Sequence, residues 1–250
     1  MTNRQNILIT GASSGLGKGM AVEFAKQGKN LALCARRMDR LEEARDELLT
    51  INPNIKVFIR ALDVNDHSAV FDVFDAFKED MGQIDRVIVN AGMGKGASIG
   101  TGFFRANKQT AETNFVSALA QCEAAMTIFR AQNAGHLVTI SSISAVRGFR
   151  RAMTVYAATK AGLTSMTEGI RMDVMNTPIK VTCIHPGFIR SEINEKVEKV
   201  PFIVDTEVGC KAMVKAINKE KASAYVPSWP WAIMHWVMRI APASTMRKMS

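Results

Sequence analysis

The 250-residue sequence contains only four cysteines and four histidines, and neither set is clustered. The cysteines are Cys34, Cys122, Cys183 and Cys210, and the histidines are His67, His136, His185 and His235. Because no CxxC pair or closely spaced set of ligands occurs, the sequence predicts no metal site. Scattered thiols are typical of proteins in a reducing compartment, so we expect a cytoplasmic protein.

Repeats, low-complexity tracts and Pro- or Ser-rich linkers are also absent from the sequence. Few apolar residues precede the first glycine-rich turn, so we expect no secretory signal peptide. With 47% hydrophobic and 22% charged residues, a chain of this length can bury a large core. We therefore expect one domain over residues 1–250.

The net charge of +9 is not concentrated in one basic stripe. No arginine run with interleaved aromatic residues offers a platform for stacking bases, so we expect no nucleic-acid partner. An anionic cofactor would account for some of the positive charge, and solvated surface for the rest.

Segment 228–250 is apolar and basic, and it holds all three tryptophans of the chain. Its relevant residues are Trp229, Trp231, Trp236, Arg239, Arg247 and Lys248. Its apolar part is too short to span a bilayer. Three roles stay open, namely peripheral contact with a membrane, cover for a substrate pocket, and packing at a subunit contact or in the core.

Apolar strands and amphipathic helices alternate along the chain. The strands are predicted at residues 6–10, 30–34, 55–61, 86–90, 136–141, 180–185 and 224–226. The helices are predicted at residues 18–28, 39–50, 68–81, 107–131, 155–175 and 205–218. Strands that are apolar without alternation indicate a sheet covered on both faces. We predict an α/β fold with a doubly wound, Rossmann-type parallel sheet of about seven strands and helices on both faces.

A glycine-rich turn joins the first strand to the first helix. Backbone N–H groups and the helix dipole at such a turn favour a phosphate, and glycine lets the backbone approach it closely. The spacing is GxxxGxG, so the general GxGxxG motif for dinucleotides fits only loosely. The turn predicts a dinucleotide site at Gly11, Ser13, Ser14, Gly15, Leu16 and Gly17.

Tyr156 and Lys160 are four residues apart in a predicted helix, so they share one face of it. The ammonium of Lys160 there can favour the phenolate and lower the pKa of Tyr156 from its ordinary value of about 10. A phenol perturbed in this way can exchange a proton near neutral pH. The pair alone occurs by chance on many helices, and the glycine-rich turn is what makes it informative.

These elements, taken in order, resemble the short-chain dehydrogenase/reductase family over nearly the whole chain. The matching elements are the glycine turn, Asp63-Val64, Asn90-Ala91-Gly92, Asn114, Ser142, Tyr156 with Lys160, and the segment His185-Pro186-Gly187-Phe188-Ile189-Arg190-Ser191. The resemblance implies further cofactor contacts at Asp63, Val64, Asn90, Ala91, Gly92, Tyr156, Lys160, Pro186, Gly187, Ile189 and Ser191. Ser191 stands where the family commonly has threonine, and the hydroxyl is kept.

The resemblance also implies a catalytic tetrad for interconversion of a carbonyl and an alcohol. Tyr156 would donate or accept the proton, Lys160 would lower its pKa and hold the nicotinamide ribose, and Ser142 would stabilise the substrate oxygen. Asn114 would hold a relay water. Fourteen residues separate Ser142 from Tyr156, one more than is usual in the family, so Ser141 and Ser144 stay open for the serine role.

Arg36 directly follows the second predicted strand, where an NAD-specific site usually places Asp or Glu. Its guanidinium can pair with a 2′-phosphate, and Ser13 and Arg37 can assist. Arg37 can equally be a solvated charge at the start of a helix. The sequence therefore predicts NADP(H) in preference to NAD(H).

Residues 188–204 are predicted to form a substrate lid between the sixth strand and the next helix. The chain has fifteen methionines, and Met93 and Met153 near the expected cleft favour an adaptable apolar pocket, although most methionines simply fill a core. We expect a lipophilic small-molecule carbonyl or alcohol as substrate. Helices 107–131 and 155–175 resemble the pair through which the family forms homodimers and homotetramers.

Two other functions stay open. A catalytically idle dinucleotide sensor would be expected to have lost at least one of the tetrad groups, and none is lost. A sugar-nucleotide epimerase or dehydratase would usually need a longer C-terminal substrate region than this chain has after Gly187.

Overall fold

A computed structural model describes residues 4–94, 96–191 and 201–249, which form an α/β fold around one seven-stranded sheet in the order β3-β2-β1-β4-β5-β6-β7. The strands are β1 (Asn6–Thr10), β2 (Asn30–Ala35), β3 (Val57–Ala61), β4 (Arg86–Val89), β5 (His136–Ile140), β6 (Lys180–Pro186) and β7 (Ser223–Val226). All six pairings are parallel, which confirms the predicted doubly wound sheet.

Helices cover both faces of the sheet. They are α1 (Gly15–Lys26), α2 (Met38–Ile51), α3 (His67–Met81), α4 (Phe104–Ala111), α5 (Ser117–Gln132), α6 (Met153–Asp173), α7 (Thr206–Ile217), α8 (Ser228–Ile240) and α9 (Ala243–Met249). A π-helical turn, Glu112–Val116, joins α4 to α5, and a 3-10 turn, Ile143–Val146, follows β5.

Successive residues of the strands enter two different cores. In β1, Ile7 and Ile9 pack with residues of α1 and α7, whereas Leu8 packs with residues of α3 and α5 on the other face. All three side chains are fully buried. This two-sided burial is the reason that the strands are apolar without alternation.

The long helix predicted at residues 107–131 is divided in the structure. The π-helical turn inserts between α4 and α5, and it carries Thr113 and Asn114. Such turns widen a helix locally and are frequent at functional sites. The helix predicted at residues 107–131 is present, and the π-helical turn within it was not predicted, because helix propensity does not reveal where such a turn inserts.

A buried charged cluster closes the edge of the sheet where the strands begin. Glu220 accepts a hydrogen bond from Arg4 Nε at 2.9 Å and lies 3.5 Å from Arg86 Nη2. Arg86 Nε donates to His136 Nδ1 at 2.9 Å. Burial lowers the pKa of Arg86 to about 10 and lowers the pKa of His136 well below its ordinary value. The predicted functional residues lie at the opposite edge.

Candidate active site

The crevice beyond β1 and β4 forms where the strand order changes direction, which is where ligands bind in sheets of this type. Asn90, just after β4, donates from its side-chain amide to Thr10 O at 2.9 Å and Gly11 O at 3.3 Å. The Thr10 hydroxyl in turn accepts from the backbone N–H of Asn90 at 3.0 Å and of Ala91 at 3.1 Å. Asn90 and Ala91 therefore hold the glycine turn in place, and Thr10 is a site residue that the sequence analysis missed.

The glycines of the turn have two different reasons to be glycine. A Cβ at Gly11 would lie 2.9 Å from Ala91 Cα, and a Cβ at Gly17 would collide with the carbonyl of Gly11. Gly15 has a φ of +54° and only Ser191 Cβ nearby, at 3.7 Å. Gly11 and Gly17 allow close packing of the backbone. Gly15 leaves an open space between the turn and Ser191, which we call the cradle.

This cradle fits a dinucleotide pyrophosphate. Ser14 precedes α1 in an extended conformation, and its side chain does not cap the helix. The N–H groups of the first turn of an α-helix have no partner within the helix, and together with the helix dipole they favour negative charge there.

The structure brings Arg37, the second of the two predicted arginines, to the serines of the turn. Arg37 Nη2 donates to Ser14 Oγ at 2.9 Å and to Ser13 Oγ at 3.4 Å. Arg36 is exposed and has no polar partner within the described ranges. Arg37 is also exposed, and its guanidinium joins the N-terminus of α2 to the glycine turn.

Asp63 and Val64 follow β3 beside this crevice. Val64 is buried, and the Asp63 carboxylate accepts hydrogen bonds at 3.0 Å from both the backbone and the side-chain N–H groups of Asn65. Asn65 Oδ1 accepts from the Thr113 hydroxyl at 3.1 Å. This loop is thereby tied to the π-helical turn that carries Asn114.

Tyr156 and Lys160 lie on the face of α6 that packs against the end of β5. Lys160 Nζ is 5.9 Å from the centre of the Tyr156 ring and donates to Ile140 O at 2.8 Å. Lys160 is buried, and its burial lowers its pKa to about 8. The pair is therefore brought together as predicted from its spacing.

The expected lowering of the pKa of Tyr156 by Lys160 is not observed. Burial raises the pKa of Tyr156, and a hydrogen bond with Ser142 only partly opposes this. The ammonium points at the Ile140 carbonyl and lies beside the aromatic ring, so its charge does not offset the loss of hydration around the phenol.

The serine that faces the phenol is Ser142. Its hydroxyl hydrogen-bonds with Tyr156 and accepts from the backbone N–H of Ser144 at 3.1 Å. Ser141 points the other way, donating to Lys160 O at 2.9 Å and meeting Thr164 Oγ1 at 2.8 Å. Because successive side chains of an extended segment alternate in direction, only one of the two can face the cleft.

Asn114 reaches the same place from the π-helical turn. Its Nδ2 donates to Met93 O at 2.9 Å, and its Oδ1 accepts from Met93 N at 2.8 Å. A Cβ at Gly92 would lie 3.2 Å from Asn114 Oδ1 and 3.6 Å from Lys160 Nζ, so Gly92 keeps this space open. The Asn114 amide therefore pins the loop after β4 beside the lysine.

The segment after β6 lies against α8. A Cβ at Gly187 would collide with the indole of Trp231, so glycine is needed for this approach. Trp231 is 3% exposed and makes an edge contact with the ring of Phe188, the two ring centres being 5.4 Å apart. Sequence reasoning did not select Trp231; the only signal was the cluster of tryptophans near the C-terminus.

Most of the predicted lid, residues 188–204, lies outside the described residues, which omit 192–200. Its two ends meet, because Arg190 N donates to Val204 O at 2.9 Å and Val204 N donates to Phe188 O at 3.1 Å. Pro186 ends β6, and Ile189 pairs with Val204 in an isolated bridge. Ser191 borders the cradle at Gly15.

A stack of three aromatic rings connects Ser142 to α8. His185 lies 4.7 Å from Tyr225, and Tyr225 lies 4.0 Å from His235, measured between ring centres. His185 Nδ1 is 3.4 Å from the carbonyl oxygen of Ser142, and burial lowers the pKa of His185 to about 4.

This lowered pKa predicts acid sensitivity. Above pH 6.5, the ordinary pKa of histidine, His185 is neutral in both the folded and the unfolded chain. Below that pH the unfolded chain binds a proton at His185, whereas the folded chain does not bind it until about pH 4. Stability should therefore fall as the pH drops from about 6.5 towards about 4, with about 3 kcal/mol from His185 and a further loss from His136. Urea unfolding at about pH 7 and about pH 5 measures the loss.

Two variants separate this cause from general acid effects. His185→Phe keeps a ring beside Tyr225 but cannot be protonated, so the loss between the two pH values should shrink. His67→Gln, at an exposed position at the start of α3, should leave the loss unchanged. An equal loss in His185→Phe and the parent protein would refute the assignment.

Metal-binding clusters and membrane-spanning helices are both absent from the described residues. Within those ranges, no group of three or more His, Cys, Asp or Glu side chains could hold a metal ion. No helix in the same part of the chain combines the length and apolar character needed to cross a membrane.

Comparison with known proteins gives consistent matches. A family model described as short chain dehydrogenase matches residues 5–201. An uncharacterized oxidoreductase of Mycobacterium tuberculosis is 50% identical over 245 residues, covering 98% of this chain and 97% of that protein. An NADP-dependent 3-hydroxy acid dehydrogenase of Schizosaccharomyces pombe is 32% identical over 192 residues, covering 76% of this chain and 73% of that protein.

The fold is similar to that of a solved short-chain dehydrogenase/reductase from Burkholderia phymatum in complex with NAD. The TM-score is 0.83 at 21% identity, and the match covers 95% of this chain and 94% of the other.

Proposed function

Since the chain belongs to the short-chain dehydrogenase family of oxidoreductases, we propose that it interconverts a carbonyl and an alcohol on a lipophilic small molecule, with NADP(H) as cofactor. The observation that carries this proposal is that Ser142, Tyr156 and Lys160 meet at the edge of the sheet that bears the glycine turn. Ser142 comes from the turn after β5, and Tyr156 and Lys160 come from α6.

The side chains divide the chemistry among them. When bound, the nicotinamide supplies hydride to the carbonyl carbon or accepts it from the alcohol. Tyr156 donates a proton to the substrate oxygen in reduction, and its raised pKa keeps the phenol protonated for that task. Ser142 donates a hydrogen bond to the same oxygen as negative charge develops on it.

Lys160 and Asn114 support this centre. With a pKa of about 8, Lys160 is mostly charged near neutral pH and can donate hydrogen bonds to ribose hydroxyls. Asn114 holds the loop after β4 through both backbone groups of Met93, and its position near Lys160 suits the relay water that the family resemblance implies.

We assign the parts of the cofactor to residues along the crevice. The adenine end falls at Asp63 and Val64, the pyrophosphate at the glycine turn, and the nicotinamide end at the segment after β6. The residues assigned to the nicotinamide end are Asn90, Ala91, Gly92, Pro186, Gly187, Ile189 and Ser191.

The preference for NADP(H) rests on Arg37 and Arg36. The Arg37 guanidinium already lies against the two serines of the turn, so a 2′-phosphate would meet a positioned cation there. Arg36, exposed and adjacent, can close on the same phosphate. No carboxylate stands between β2 and Asp39 to bind a free 2′-hydroxyl.

Replacing Arg37 by alanine should weaken NADPH binding about 30-fold, since a charge-assisted hydrogen bond contributes about 2 kcal/mol. NADH binding should be nearly unchanged. Dissociation constants from fluorescence titration of both cofactors test this, with Arg40→Ala, an exposed arginine in the first turn of α2, as the control. Tighter binding of NADH than NADPH by the parent protein would contradict the preference.

The assembly and location follow the family. We propose a homodimer or homotetramer with contacts through the outer faces of α5 and α6, in the cytoplasm. The exposed apolar side chains Val116 and Leu119 near the start of α5 suit such a contact.

The direct test is a panel of lipophilic ketones, aldehydes and secondary alcohols assayed with NADPH and NADP⁺. Absorbance of the reduced nicotinamide reports turnover. Turnover of one class, lost in Tyr156→Phe, is the expected result. Cofactor binding without turnover across the panel would favour an idle dinucleotide sensor.

A further inference from the structure

One face of α8 is apolar and open to solvent. It consists of Ile233, Trp236, Val237 and Ile240, preceded by Trp229 at the kinked start of the helix; we name these five residues the α8 apolar face. Their exposures are 55%, 58%, 46% and 81% for the helical residues and 71% for Trp229. Spacings of three and four place the helical residues on one side.

The opposite side of α8 fixes the helix in place. Trp231 and Met238 are 3% and 6% exposed and pack with Ile143 and Met246. Arg147 Nη1 donates to Met238 O at 2.9 Å and also to Ala241 O, which ties the end of α8 to the segment after β5. The exposure of the α8 apolar face therefore belongs to a helix that is already packed on its other side.

The sequence that carries this face has charge of one sign. Residues 221–250 include Lys221, Arg239, Arg247 and Lys248, and they contain no Asp or Glu. The Arg239 guanidinium lies 6.0 Å from the centre of the Trp236 ring, so a cation sits beside the exposed indole. An apolar surface with a cation at Trp236, in a segment that is basic and holds no carboxylate, complements an anionic lipid surface.

A second copy of the chain is a poorer match. A symmetric contact through the α8 apolar face would bring the basic segments of the two copies close to each other. Like charges facing each other across a contact are unfavourable. The charge pattern thus favours a negatively charged occupant.

The size of the helix sets how it would lie. Its 13 residues extend over about 20 Å, whereas the hydrocarbon core of a bilayer is about 30 Å thick. Two exposed indoles, Trp229 and Trp236, suit the boundary between headgroups and acyl chains. We propose that the α8 apolar face docks in the plane of an anionic membrane surface.

The test is co-sedimentation of the full chain with vesicles of phosphatidylcholine, alone or with about one third phosphatidylglycerol. The protein should sediment with the anionic vesicles, remain in solution with the neutral ones, and be released by added salt. The double variant Ile233→Glu/Trp236→Glu should bind at least about tenfold more weakly.

Matched acidic changes elsewhere serve as the control. Met172→Glu/Met175→Glu replaces two residues that are 60% and 72% exposed at the far end of α6, and vesicle binding should be unchanged. Thermal unfolding shows that both double variants remain folded. Binding is measured without cofactor or substrate, so the outcome is independent of the proposed oxidoreductase activity.

Two results would overturn the proposal. The first is that the folded parent protein stays in solution with both kinds of vesicle. The second is that Ile233→Glu/Trp236→Glu lowers the sedimentation mass of the protein without altering vesicle binding, which would assign the face to a contact between copies.

Discussion

Replacement of Tyr156 by phenylalanine is expected to lower kcat by about 10²- to 10⁴-fold and leave the dissociation constant of NADPH nearly unchanged. The change removes one hydroxyl, and with it the proton that the substrate oxygen needs. The ring stays and can still pack beside Lys160, whose Nζ is 5.9 Å from its centre. Initial rates and fluorescence titration of NADPH measure the two quantities separately.

The chain offers a matched control for this variant. It has only one other tyrosine, Tyr225, which is stacked between His185 and His235. Tyr225→Phe should keep the stack and nearly full turnover. If Tyr156→Phe turned over substrate as fast as Tyr225→Phe does, the phenol would have no part in the chemistry.

Replacement of Ser142 by alanine should lower kcat by about 10²- to 10³-fold, since it removes a donor to the developing negative charge. It also removes the one hydrogen bond that opposes the raised pKa of Tyr156, so the pH dependence of kcat should shift towards higher pH. Rates measured across the pH range test both effects.

Neighbouring serines make this experiment specific. Ser144→Ala should retain turnover, because its contact with Ser142 runs through the backbone N–H. Ser141→Ala should cost about 1 to 2 kcal/mol of stability, because its hydroxyl bonds to the Lys160 carbonyl and Thr164 beneath α6. A larger loss of kcat in Ser144→Ala than in Ser142→Ala would move the serine role to Ser144.

The sheet was predictable because its signal is local. Segments such as Val87-Ile88-Val89 and Leu137-Val138-Thr139-Ile140 are apolar without alternation, and the succession of strands and helices then leaves little choice of topology. The π-helical turn between α4 and α5 was not predictable. It carries Asn114, whose hydrogen bonds with Met93 join residues 21 positions apart that only the fold brings near.

For the candidate site, the order of motifs indicated which residues would meet but not how each would point. The second strand was predicted to end at residue 34, whereas β2 ends at Ala35. Arg37 then stands at the start of α2 with its side chain on the turn, and Arg36 is left exposed. The raised pKa of Tyr156 could not be predicted from the sequence either, because burial of the phenol is a property of the whole fold.

The contact between Ser142 and Tyr156 has a consequence for how this scaffold can change. The two side chains meet directly, so the number of residues in the connection between them does not set their separation. The family resemblance implies one extra residue in that connection, and its Phe149 packs against the apolar cluster that contains Trp231. Insertions there could therefore reshape the walls around a bound molecule while the proton-transfer groups keep their alignment, which makes this connection a natural position for altering selectivity by loop grafting.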